Sequence, residues 1–167
     1  VRPCVEGLPY FPYLALADFE RQLDTFASTC GFVGREAFVD WGEGGPAPDG
    51  VLLTFDDGLR DHRDFVLPVL QERGLFGVFY VPSGPAVTGR ILDVHKVHLV
   101  VGRMGGCAVL TWLEANEPKL VSRATYEDAT VYAGQKSSRS TKLVKHLFNW
   151  QLSSTERAAA LDALLAH

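Results

Sequence analysis

Cysteine is scarce: Cys4, Cys30 and Cys107 are the only three in 167 residues. They are widely spaced and odd in number, which excludes a disulfide framework and a zinc-binding cysteine pattern. The expectation is buried free thiols, since unpaired cysteine behaves as a small hydrophobe. Positive charge is also in deficit. Sixteen Lys and Arg against 20 Asp and Glu give a formal net charge of −4. With no basic footprint, a nucleic-acid partner is not expected. No apolar run approaches the length of a membrane span. No internal repeat is present. No glycine-rich loop follows a strand and opens a helix as a phosphate cradle does. Gly102-Arg103-Met104-Gly105-Gly106 lacks the preceding strand. What is there is a chain that is 47% hydrophobic, enough to bury one good core in one domain or most of one.

Val51-Leu52-Leu53-Thr54-Phe55 reads as a buried strand, ended abruptly by Asp56, Asp57 and Gly58. Two adjacent carboxylates have no place in a buried strand unless they sit at its exposed end with a partner such as a metal or a substrate. In continuing strand geometry they point to opposite sides, so one is free to hold a cation while the other faces a reacting group. Gly58 lets the backbone turn sharply and approach a ligand closely. Residues 60 to 73 carry Phe65, Val66, Val69 and Leu70 at helical spacing and end at Gly74. Pro68 kinks that helix or marks its first turn. Residues 75 to 81 form a second apolar strand, closed by Pro82-Ser83-Gly84. Strand, helix and strand in this order make a βαβ unit with parallel strands. Ligands of such units bind at the carboxyl ends of the strands, where Asp56 and Asp57 lie. The competing reading is an acidic turn that merely favours the helix dipole.

Three parts follow one another. Residues 1 to 41 hold a helix opened at Ala17 or Asp18, striped by Phe19, Leu23, Phe26, Ala27 and Cys30, and closed by Gly31. A second short helix spans residues 35 to 41. The Gly- and Pro-rich stretch 42 to 50 is a loop. The βαβ unit occupies the sequence up to Gly84. The last part is helical. Val94, Val97 and Val101, then Val109, Leu110 and Leu113, predict two helices around Gly102 to Gly106. Leu143, Leu147 and Trp150 mark one face of a helix over residues 141 to 151. Ser153 and Glu156 form a capping-box pattern ahead of a helix with Leu161, Leu164 and Leu165 inward. The expected division is 1–90 and 91–167.

Thr54-Phe55-Asp56-Asp57-Gly58, the helix after it, and Gly74-Leu75-Phe76-Gly77-Val78-Phe79-Tyr80-Val81 resemble the first motif and second strand of the polysaccharide deacetylase (NodB-homology) family. Val1-Arg2-Pro3, Leu8-Pro9-Tyr10-Phe11, the helix around Phe19, Leu23 and Phe26, and Gly31-Phe32-Val33 are similar to the lead-in of bacterial members. The resemblance covers about the first half of the chain. It implies an α/β fold, part of an irregular (β/α) barrel, here followed by a helical C-terminal region. It also implies hydrolysis of N-acetyl or O-acetyl groups of an acetylated sugar. Asp56 is then the general base and Asp57 a ligand of a divalent metal, Zn or else Co, Ni or Mn. In such a site the metal polarises the acyl carbonyl and acidifies its water, and Asp56 takes the proton.

The rest of that machinery is not recognisable. The family's second motif, His-Ser/Thr-x-x-His, supplies two further ligands, and a metal hydrolase needs about three. The nearest substitute is Asp93-Val94-His95-Lys96-Val97-His98. His95 and His98 share one helix face at i and i+3, but Lys96 stands where the motif has its hydroxyl residue. The alternative is that both histidines pack or hydrogen-bond within a helical region. His62 is expected on the exposed start of a helix, and His146 on the surface beside Lys142 and Lys145. No residue stands out as the acid that would protonate the leaving amine. The resulting expectation is an incomplete deacetylase domain, weakly active or inactive as this chain. Two other classes stay open: a non-catalytic binding or assembly module, and another hydrolase whose Asp pair holds Mg²⁺.

Overall fold

The computed structural model describes residues 1–3, 13–124 and 131–167. Cys4, Leu8-Pro9-Tyr10-Phe11 and their neighbours lie outside the described residues. The chain divides into two compact units, the first running to Val87 and the second taking Thr88–His167. The division falls a few residues before the one expected from the sequence.

In the first unit, helix α1 (Leu16–Thr29) buries Phe19 and Leu23 on one stripe. It begins at Leu16 and not at Ala17 or Asp18, because backbone pairing sets its start. Ala15 bridges Arg2 in parallel, and the Leu16 N–H donates to the Arg2 carbonyl at 2.9 Å. Helix α2 (Arg35–Gly42) follows as expected. Strands β1 (Leu53–Phe55) and β2 (Gly77–Phe79) pair in parallel, with Leu53 beside Gly77 and Phe55 beside Phe79. Both are shorter than the apolar runs that predict them. Val51 makes only an isolated bridge, to Phe32.

The crossover between the strands is a π-helical stretch, His62–Val66, leading into α3 (Leu67–Glu72). Pro68 sits in the first turn of α3, where its missing N–H costs little. Of the two roles open to it, this is the one taken. Val66, Val69 and Leu70 pack with Leu53 and with Phe19 and Leu23 of α1. Leu70 lies so close to the sheet that a Cβ at Gly77 would meet its Cδ1 at 2.9 Å and Phe55 Cε2 at 3.1 Å. Glycine at that position lets the helix lie directly on β2. Arg2 closes the unit with a forked pair to Asp61 at 2.8 and 2.9 Å. Short helix α4 (Ser83–Thr88) leads to the boundary.

The second unit is helical among its described residues: α5 (Asp93–Met104), α6 (Gly106–Asn116), α7 (Pro118–Val121), α8 (Arg139–His146), a π-helical stretch over Leu147–Gln151, and α9 (Ser154–Ala166). Val97, Val109, Leu113, Val144, Leu147, Phe148 and Leu161 are almost completely enclosed. Each such side chain contributes roughly 1.5–3 kcal/mol by leaving water. The capping box of α9 is present. The Ser153 hydroxyl accepts from the Glu156 N–H, and the Glu156 carboxylate accepts from the Ser153 N–H at 2.9 Å. Those bonds, with help from Arg123, hold the Glu156 carboxyl below its ordinary value. Asp93–Arg157 at 3.1 Å and Lys96–Asp162 at 2.5 Å tie α5 to α9.

Several side chains depart from expectation, among them Ala27, which is exposed although the sequence pattern places it on the apolar stripe of α1. Cys30 and Cys107 are exposed, since neither helix turns its cysteine toward the core. Trp150 is 64% exposed, while Phe148 takes the inward position. The π-helical stretch supplies the reason: its wider turn inserts extra residues and rotates Trp150 off the face set by Leu143 and Leu147. His146 is buried, with Leu143, Val144, Lys145, Leu147 and Phe148 around it in sequence all buried too. This helix is enclosed on nearly every side. Its basic residues therefore do not mark a solvated face. Lys145 lies over the Tyr132 ring, 4.7 Å from its centroid, and donates to Gln135. Burial lowers its ammonium pKa.

Candidate functional site

The chain leaves β1 at its carboxyl end and turns at once. Asp57 has φ 74° and Gly58 φ 59°, two successive left-handed residues. Asp is among the few non-glycine residues that tolerate this region. Gly58 is held to glycine by both its φ and its surroundings, since a Cβ there would come within 3.0 Å of Val81 Cγ1. The turn leaves Asp56 exposed and Asp57 half-buried. Beside it, β2 continues its ladder by one bond, the Tyr80 N–H donating to the Phe55 carbonyl at 2.8 Å. Asp56, Asp57, Tyr80, Val81 and Pro82 together line an open groove of about 390 Å³. Tyr80 is 53% exposed at its edge. The arrangement places two carboxylates and a phenol at the carboxyl ends of two parallel strands, as such sheets present ligand sites.

A second hollow, of about 250 Å³, adjoins the groove and shares Val81 with it. Its walls are Gly58, Leu59, His62, Arg63, Leu67, Phe79 and Val81. His62 is only 9% exposed, contrary to the expectation of a solvated helix start. Its ring lies 5.6 Å from that of Phe55 and 6.0 Å from that of Phe79, the last residues of both strands. Its Nδ1 is closed to solvent and makes no hydrogen bond. Burial holds the imidazole below its ordinary pKa, against the pull of Asp61, Asp57 and Asp56. The sequence does contain the signal. His62 stands four residues before Val66 and eight before Leu70, on the stripe that α3 buries.

His95 and His98 lie on α5 in the second unit, their rings 6.3 Å apart. Helical spacing brings them to each other as expected. Among the described residues, no group of three or more His, Cys, Asp or Glu side chains is placed to hold a metal ion. The described residues thus do not fit a resident zinc, which takes about three protein ligands beside an open position. The chemistry this groove offers directly is that of carboxylates and a phenol: accepting hydrogen bonds from hydroxyls and attracting a cation. No family model matches the chain, and no curated protein or solved structure is significantly similar to it, so the site stands on its own geometry.

Proposed function

We propose that the groove at Asp56 and Asp57 is the first-motif half of a carbohydrate deacetylase site within an irregular (β/α) barrel. The reading is of a chain that recognises an acylated sugar and turns it over weakly or not at all. One observation supports it above others: the Asp-Asp-Gly turn stands at the carboxyl end of a strand paired in parallel with the next, with Tyr80 beside it. Carboxylates next to an aromatic face suit a sugar, whose hydroxyls donate and whose ring packs on apolar surface. In this reading Asp56, the more exposed of the pair, is the proton acceptor. Asp57, fixed in a left-handed turn, is the cation-facing carboxylate. His95 and His98 have no role in it.

The test is binding, followed by turnover. Chitooligosaccharide should perturb the amide resonances of residues 56 to 58 and of Tyr80, and Asp56→Asn should weaken that binding. Deacetylation by this chain should be at background, with or without added Zn²⁺. Robust turnover dependent on metal would overturn the view that the ligand set is incomplete. If the sugar fails to bind while Mg²⁺ with a phosphate ester does, the groove belongs to another class of Asp-pair hydrolase. Sugar binding unaffected by Asp56→Asn would favour a purely non-catalytic module.

A further inference from the structure

The groove explains Asp56, Asp57 and Tyr80 but not the hollow beside it. That hollow is walled by Leu59, Leu67, Phe79 and Val81, with Gly58 at its junction with the acidic turn. Arg63 reaches its rim but is turned to solvent and paired with Asp64 at 2.7 Å. His62 is therefore the polar side chain built into the wall. It is nine-tenths buried, and its Nδ1 lacks a hydrogen bond. Leu59 and Leu67 are 39% and 37% exposed, and Val81 69%, so the apolar walls stay open to solvent. Val81 lines both hollows, and a molecule seated across it would place one part on carboxylates and another among aliphatic side chains.

We propose that the His62 hollow is a subsite for the acyl group of the ligand, and that this acyl group is a short aliphatic chain longer than acetyl. The proposal rests on the carbohydrate reading of the neighbouring groove. A volume of about 250 Å³ is several times the roughly 30 Å³ occupied by one water, a space comparable to a methyl group. An acetyl group leaves most of it empty. A chain of several methylenes fills it and removes Leu59, Leu67 and Phe79 from water. A Cβ at Gly58 would lie 3.0 Å from Cγ1 of Val81, the residue that both hollows share, so a side chain there would press on that wall.

Three probes separate this proposal from the reading it rests on: N-acetylglucosamine, N-hexanoylglucosamine and hexanamide, each titrated into the full chain by NMR. N-hexanoylglucosamine should bind roughly tenfold or more tightly than N-acetylglucosamine, from the added methylenes buried. Hexanamide alone should shift the His62 ring resonances. Leu67→Trp, which fills the hollow, and Leu59→Asp, which charges its wall, should each remove the preference for the longer chain. Using both guards against a folding defect in either. Equal affinity for the two sugars, with no response to hexanamide, would overturn the acyl subsite and leave the sugar groove standing. Hexanamide binding as tightly as N-hexanoylglucosamine would uphold the aliphatic subsite and overturn the carbohydrate reading. No binding by any probe would overturn both.

Discussion

The two units of this chain use their apolar residues differently. Among the described residues, the core of the first is six buried side chains, Phe19, Leu23, Leu53, Val66, Val69 and Leu70. That of the second is twelve, including Val144, Leu147, Phe148 and Leu161 at 0% exposure. The first unit leaves Tyr80 and Val81 exposed around its hollows, next to an acidic turn in left-handed conformation. Binding sites need such surface, and it is drawn from the less stable parts of a fold. The second unit encloses even its charged residues, as Lys96, Lys145 and His146 show. The contrast teaches that the helical unit commits its apolar residues to packing, while the first leaves some of them at the surface beside its acidic turn.

The most forceful way to break the contrast is to open the second core. Phe148→Ala should cost about 3–5 kcal/mol, since a fully enclosed ring leaves a cavity that its neighbours fill only in part. Urea denaturation should show the loss, and hydrogen exchange should accelerate in α5, α6, α8 and α9. A cost below about 1 kcal/mol would mean that this core is far looser than its burial implies.

Gly77→Ala probes the thinner core of the first unit. The new methyl would press on Leu70 and Phe55, so a destabilisation of roughly 1–3 kcal/mol is expected, with faster exchange in β1, β2 and α3. In a double-mutant cycle with Leu70→Ala the combined loss should be smaller than the sum of the two single losses, because the contact with Leu70 is gone. Ser153→Ala is smaller, at about 1 kcal/mol, and should appear as fraying of the first turn of α9.

The smallest effect sharpens the comparison by pH. His62 has its folded-state pKa lowered by burial, so the unfolded chain binds more protons once pH falls below the ordinary histidine value of about 6.5. Stability of the first unit should therefore decline as pH drops through that value. The decline should level off below the folded-state pKa. Asp61, Asp57 and Asp56 attract the imidazolium and keep the effect modest. Urea midpoints at pH 7.5 and 5.5 should differ less in His62→Gln than in wild type. An unchanged difference would assign the pH dependence to other groups.

Periodicity and punctuation alone carry a large part of this molecule. Residue patterns specify α2, the α5–α6 pair, the capping box of Ser153 and Glu156, and the parallel order of β1 and β2 around a crossover. These depend on neighbours in sequence, on helical or strand period, and on a connection rule that holds whatever else the chain does. The Asp56-Asp57-Gly58 turn belongs with them, since a carboxylate pair after an apolar strand has few places to go. Tertiary structure decided what no local period encodes. The π-helical stretch at Leu147–Gln151 shifts the helical phase and turns Trp150 outward. Lys145 and His146 are enclosed because α8 is surrounded, and Leu70 seats α3 directly against Gly77. Such features arise from how helices lie on one another and on the sheet, and packing of that kind is read in space, not along the chain.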